Sequence, residues 1–292
     1  MIIEKIKALL KIREEFRILA ERPFNRIYAS ESLVVKIAEL EGFGWQIGKF
    51  SRERAFFDFI RNNLPGVKVP EIILVDESKK FVPREFIVMS RIKGIPLWEV
   101  IKQDKRCDET IREVGRAIAE IHSIVPNSES YGLLNSGQHK SWFSYLDTNI
   151  HLVNKYPTRL KKPELLSRAE KIIREKLQKR ETTKSLLHND LNLGNFLINP
   201  GDLSLTGIID GEVACIGDPM YDLGRFNLYT PQEEIIERFK EGYSAIREIC
   251  EQDIYLYTLV TGLEMSYLFA NNNKRIMAFN KKMEESLNKL KR

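Results

Sequence analysis

The sequence predicts an α+β protein of two lobes: a small β-rich lobe over residues 1–92, with an extra N-terminal helix, and a larger, mostly helical lobe over residues 93–292. Short apolar runs bounded by turn residues cluster between Asn25 and Ser90. From Asp108 onward apolar residues recur every three or four positions, the period of helices. The helical half is interrupted once, around His188, where two brief apolar runs enclose a polar loop.

In the first lobe, Ile2, Ile6, Leu9, Leu10, Ile12, Phe16 and Leu19 predict one amphipathic helix over Ile2 to Ala20. Asn25 to Ala29 and Leu33 to Ile37 form a hairpin, with Ser30-Glu31-Ser32 as its turn. A helix follows over Gln46 to Arg61. Its apolar positions Phe50, Phe57 and Ile60 share a face with Glu53, so this carboxylate points inward. An inward carboxylate calls for a cation, and Lys36, within the apolar strand Val34 to Ala38, is the natural one; Arg52 or Arg54 are alternatives at the surface. Strands over Glu71 to Val75 and Arg84 to Met89 complete the lobe around a polar turn, Asp76 to Lys80.

In the second lobe, a helix starts at Asp108 and carries the stripe Ile111, Val114, Ile118 and Ile121 to His122, read as a packed, hydrogen-bonded histidine. Tyr131 to Lys140 reads as loop, and helices follow over Trp142 to Tyr156 and Pro163 to Arg180. Three more, Pro231 to Glu248, Asp253 to Ala270 and Arg275 to Leu290, close the chain.

The chemistry concentrates between these groups. Ser185 to Leu187 and Phe196 to Ile198 flank the loop His188-Asn189-Asp190-Leu191-Asn192-Leu193-Gly194-Asn195, and a further apolar run ends on Asp210. A carboxylate at the end of a buried strand needs a partner. With an amide converging beside it, a hard divalent cation such as magnesium fits best. Phosphoryl transfer asks for this set: Asp190 to orient the attacking hydroxyl and accept its proton, with His188 beside it, and Asn195 and Asp210 to carry the metal. His-x-Asp-x-x-x-x-Asn followed by a strand-end Asp is the spacing of kinase-like folds.

Together with Ile216-Gly217-Asp218-Pro219-Met220-Tyr221-Asp222-Leu223, these segments resemble the aminoglycoside phosphotransferase and choline kinase-like family of small-molecule kinases, over about Phe24 to Leu268. The resemblance implies a bilobal protein-kinase-like fold and ATP or GTP as phosphate donor with Mg2+. It also implies that Lys36 bridges the α- and β-phosphates and that backbone groups of Ser90 and Ile92 meet the base. The hairpin from Asn25 is then the cover over the phosphates. No glycine lies between Arg22 and Lys36, so side chains such as Asn25, Arg26 or Ser30 stand in for close backbone approach. Ser141 to Lys155 becomes a candidate specificity element. Asp218 is expected to cap a helix begun at Pro219, and Asp222 to hold the backbone of the His188 loop. The acceptor stays open among aminoglycosides, choline, homoserine, methylthioribose and protein-bound fructosamine. An atypical protein kinase and a nucleotide-binding scaffold without turnover remain alternatives. Asn189 stands where regulated protein kinases carry an arginine, and no Ala-Pro-Glu follows, so control by loop phosphorylation is not expected.

Composition narrows the rest. A net charge of +5 spread over 46 basic and 41 acidic residues does not call for nucleic acid. Cys107, Cys215 and Cys250 form no CxxC pair and no even framework, which points to a reducing, cytoplasmic setting. The N-terminus lacks a secretory pattern, and the longest apolar stretch, Leu256 to Ala270, is too short to span a membrane and is broken by Glu264. Expected partners are a nucleotide and a small hydroxyl substrate.

Overall fold

The computed structural model describes residues 2–39, 46–103, 107–136, 139–155 and 162–291. The first lobe is built on a five-stranded antiparallel sheet in the order β1-β2-β3-β5-β4. Its strands are β1 (Arg17–Glu21), β2 (Asn25–Ala29), β3 (Leu33–Ala38), β4 (Ile72–Asp76) and β5 (Phe86–Ser90). Alternation sorts the sheet's two faces. Val35, Ile37, Phe86 and Val88 pack outward against Ile3 and Ile6 of α1 (Ile2–Leu10). Ala38, Ile87 and Met89 face α2 (Lys49–Asn63) and the main core. Lys36, between Val35 and Ile37, is thereby turned to the interior face of the sheet.

The N-terminal helix is shorter than its apolar spacing predicts. Lys11 adopts φ 54°, outside the helical region. Residues 17–21 then pair with β2 as a strand, which covers an edge that would otherwise present unpaired backbone groups. Ile18 and Leu19 are each 54% exposed, so the continuing stripe never reaches a core.

α2 has no capping side chain of its own. Glu77, from the turn after β4, accepts hydrogen bonds from the N–H groups of Phe50 and Ser51 at 3.0 and 3.1 Å, which satisfies free donors at the helix start.

The second lobe is mostly helical: α3 (Leu97–Gln103), α4 (Asp108–His122), α5 (Trp142–Lys155), α6 (Pro163–Leu177), α7 (Pro219–Tyr229), α8 (Glu233–Ser244), α9 (Glu251–Leu268) and α10 (Asn273–Leu290). The predicted end of α5 at Tyr156 lies outside the described residues. Two small sheets carry the polar loops: β6 (Ile95–Pro96) with β9 (Phe196–Ile198) and β10 (Leu205–Ile208), and β7 (Gly132–Leu133) with β8 (Ser185–Leu187) and β11 (Cys215–Gly217). Gly132 and Leu133, read from sequence as loop, are a strand because β11 offers them backbone partners. Helices α4 and α8 meet at glycines: a Cβ on Gly242 would lie 2.0 Å from the Arg112 carbonyl oxygen, and one on Gly115 2.2 Å from that of Phe239.

α7 starts as the sequence predicts. Pro219 occupies the first turn, and Asp218 accepts from the Met220 N–H at 2.9 Å. Among the described residues, no helix is long and apolar enough to cross a membrane.

Candidate active site

The loop between β8 and β9 is held by carboxylate and amide side chains. Asp222 of α7 accepts the N–H groups of His188 and Asn189 at 2.8 and 2.9 Å. The same carboxylate lies 3.1 Å from His122, which is fully buried and also contacts the Tyr243 hydroxyl. Burial would raise the Asp222 carboxyl, but the bond and charge of His122, the charge of His188 and the His188 N–H bond together hold the group below its usual range. Asn189 sits at φ 60° and Asp210 at φ 72°, left-handed conformations held by these surroundings.

His188 is fully buried. Its Nε2 donates to the Ile209 carbonyl at 2.9 Å, and its Nδ1 accepts the Asp190 N–H at 3.3 Å. With both ring nitrogens occupied, it joins the residue before Asp210 to the backbone of Asp190. Sequence reading groups His188 with the catalytic residues; the geometry makes it a positioning residue, since no ring atom is left to meet a substrate.

Asn195 donates to the Asp190 backbone carbonyl at 2.8 Å and to its Oδ2 at 3.2 Å. Asn192, which sequence reading overlooked, donates to the same oxygens at 3.1 Å. Both amides bond Asp190 Oδ2, and Oδ1 takes no part in these bonds. Burial, reinforced by the negative charge of Asp210, raises the Asp190 carboxyl.

Lys36 joins two distant segments. Its Nζ lies 2.8 Å from Glu53 Oε1 and 2.7 Å from Asp210 Oδ1, with Lys36 only 6% exposed and Glu53 not at all. Burial disfavours the ammonium, but Asp210 and Glu53 together raise its pKa above the ordinary lysine value. Burial would also raise Asp210, yet Lys36 holds it low. For Glu53 burial wins, with Asp210 and Glu212 adding to it, and its carboxyl is pushed up to about 7. Arg52, the alternative partner for Glu53, instead donates to the carbonyls of Leu134, Glu212 and Ile47 at 3.2, 2.7 and 3.0 Å, which pins α2 to the second lobe.

Glu212 is a further site residue that sequence reading missed. The available signal was its place two residues after Asp210. Carboxylate oxygens of Glu53, Asp210 and Glu212 lie within 4.8 Å of one another, and the fully buried Glu53 Oε2 has no hydrogen-bond partner. Two ammonium groups, Lys36 and Lys49, face these three carboxylates. Asp210, held ionised by Lys36, and the unpaired Glu53 Oε2 offer oxygen ligands that fit a divalent cation. Lys49 is buried; it donates to Asn25 Oδ1 at 2.6 Å and to the Phe24 carbonyl at 3.1 Å, and lies 3.9 Å from Glu212. Asn25 in turn donates to Glu212 at 2.9 Å.

These contacts separate the two ends of the hairpin expected to cover the phosphates. The Asn25 end of β2 reaches Glu212, whereas the Ser30-Glu31-Ser32 turn lies at the opposite end, against the segment after β5. There the Arg91 N–H donates to the Ser32 carbonyl at 2.7 Å, the Arg91 guanidinium to the Ser30 carbonyl, and Lys93 pairs with Glu31. The turn above the carboxylates is the one between β1 and β2, residues 22–24. Arg26 is occupied by Glu21 and Glu39 at 3.1 and 3.2 Å. At the joint between the lobes, the Ser90 N–H donates to the Glu71 carbonyl at 2.8 Å, so that amide is not free for a base.

This architecture has relatives. The sequence model of the phosphotransferase enzyme family matches residues 20–252. The chain belongs to that family. The fold is similar to that of a thermostable mutant of aminoglycoside phosphotransferase APH(4)-Ia, with TM-score 0.79, 14% identity and 98% of both chains covered. It is also similar to a choline/ethanolamine kinase family protein from Mesorhizobium loti, with TM-score 0.64, 16% identity, and 98% of this chain and 94% of that one covered. A GDP and kanamycin complex of a further aminoglycoside phosphotransferase matches with TM-score 0.68, 16% identity and 98% of both chains covered. Among curated proteins, acyl-CoA dehydrogenase family member 11 of Homo sapiens is 24% identical over 195 residues, covering 62% of this chain and 22% of that protein. The chain spans about a fifth of the length of the curated relatives it matches. The protein-kinase-like fold read from the His188 loop and the Asp218 motif is therefore the fold of this phosphotransferase family member.

Proposed function

We propose that the protein transfers the γ-phosphoryl group of ATP or GTP to a hydroxyl of a small molecule. Residues 1–92 would hold the nucleotide, residues 93–292 the acceptor, and the setting would be cytoplasmic. The observation that carries this reading is that Lys36 meets Asp210 at 2.7 Å while Asn195 and Asn192 bond Asp190 Oδ2 and leave its Oδ1 out of these bonds. Lys36 would grip phosphate oxygens, held in place by Glu53. The Ser90 carbonyl and the backbone of Ile92 would meet the base. Asp210, Glu212 and the Asn195 oxygen would hold Mg2+, which when bound neutralises charge on the β- and γ-phosphates.

The acceptor oxygen forms its bond to the γ-phosphorus as the bond to the β–γ bridging oxygen breaks. The hydroxyl proton passes to Asp190 Oδ1, and the nucleoside diphosphate leaves. Gly211 to Asp218 is all that separates Asp210 from α7, and β11 occupies part of it. That leaves no long activation segment on which a protein substrate would dock, which favours a small acceptor over an atypical protein kinase.

The test is a panel of hydroxyl acceptors with MgATP or MgGTP. Asp190→Ala should lower turnover by at least about 10²-fold while leaving nucleotide affinity nearly intact. Normal turnover by this variant would remove Asp190 from the role.

A further inference from the structure

Near Asp190, where α7 packs on α9, lies a buried arginine that the proposed phosphoryl transfer does not use. Arg225 lies three residues after Asp222 and four before Tyr229, so these side chains share one face of α7, the face on which the His188 loop rests. Arg225 is 6% exposed. Its guanidinium sits over the Tyr221 ring at 5.2 Å, and Nη2 donates to the Tyr221 hydroxyl at 2.8 Å and to Glu264 at 2.9 Å. The buried Nε has no partner.

The groups that Arg225 touches are already satisfied. Glu264 Oε1 accepts from Asn149 of α5 at 2.9 Å, and its Oε2 accepts from Tyr221 at 2.6 Å as well as from Arg225. Tyr229 donates its hydroxyl to the Met265 sulfur at 2.7 Å. Among these groups in contact, the unused capacity therefore belongs to a donor, and the donor is cationic. Stacking and the Glu264 bond fix the guanidinium plane, so little freedom is lost when a ligand engages it. Arg225 is also close enough to Asp190 for its charge to oppose the rise that burial causes in that carboxyl.

We infer that Arg225 anchors the acceptor, and that the acceptor is an alcohol carrying an oxyanion, either a carboxylate or a phosphate monoester, near the hydroxyl that is phosphorylated. This rests on the phosphotransfer reading and narrows it. A purely cationic amino alcohol would meet an unsatisfied guanidinium and a carboxylate whose oxygens are taken.

Three sets of alcohols separate the possibilities: short hydroxycarboxylates, hydroxylated phosphate monoesters such as the glycerol phosphates, and amino alcohols including aminoglycosides. Each is tested for thermal stabilisation of the MgADP-bound protein and for nucleoside diphosphate release from MgATP. Stabilisation and turnover should be confined to the oxyanion sets, and the responding set tells carboxylate from phosphate. Arg225→Met should raise KM for the responding acceptor by about tenfold or more, with MgATP affinity unchanged, and Arg225→Lys should recover part of the loss. Because Arg225→Met strands Glu264, the double variant Arg225→Met with Glu264→Gln serves as the folded control and should show the same KM loss.

If no oxyanion-bearing alcohol stabilises the protein, or if amino alcohols turn over with KM unmoved by these variants, the inference is overturned while phosphoryl transfer stands. Arg225-dependent binding of an oxyanion without transfer to any alcohol would instead sink the phosphotransfer reading and leave the subsite.

Discussion

Replacing Asp222 with alanine removes the acceptor for two buried backbone donors, the N–H groups of His188 and Asn189, and the carboxylate 3.1 Å from His122. A buried donor left without a partner costs about 1–3 kcal/mol, so the two backbone groups alone put the loss at about 2–6 kcal/mol. Against a total of about 5–15 kcal/mol for a typical protein, that is a large fraction. Urea unfolding measures it directly.

Asp222→Asn keeps one acceptor oxygen but sets an amide NH2 against the second N–H, so its loss should fall between wild type and alanine. The carboxyl is held below its ordinary value of 3.8. Its contribution is therefore fully present above that value and disappears as pH falls through the lowered one. The gap between wild type and Asp222→Ala should be complete at about pH 7 and begin to narrow only once the pH has fallen below the ordinary value of 3.8. A loss under about 1 kcal/mol, or a gap that does not narrow in acid, would refute the claim that this carboxylate holds the loop.

Lys36→Met strands Glu53 and Asp210, and breaking such a buried pair should cost about 3–5 kcal/mol in chemical denaturation while abolishing MgATP binding by calorimetry. Gly242→Ala should destabilise the protein by about 1–3 kcal/mol in the same measurement, because its Cβ would meet the Arg112 carbonyl, while KM for nucleotide stays unchanged.

Much of the site was legible in local sequence because short-range geometry decides it. Alternation along Val35-Lys36-Ile37 places the lysine opposite two apolar side chains, and Asp218-Pro219 writes a helix start in adjacent residues. The spacing around Glu53 likewise put it on the inner face of α2. Other features followed from partners far along the chain. β1 exists because β2 has an open edge, against a helical pattern, and that added strand sets the turn over residues 22–24 at the Glu212 end of the hairpin. Glu212, Lys49 and Asn25 form one network that no local spacing encodes.

The amino-acid order alone determined the two-lobed α+β plan, the family and the identity of the polar loop, because period and turn chemistry act between near neighbours. Only the tertiary structure decided that His188 is buried with both ring nitrogens bonded to backbone, that Arg52 ties α2 to the second lobe, and that the Arg225 Nε is left without a partner. Each of those depends on which backbone and side-chain groups remain unsatisfied once segments as much as 187 residues apart, as in the Asn25–Glu212 pair, have come together.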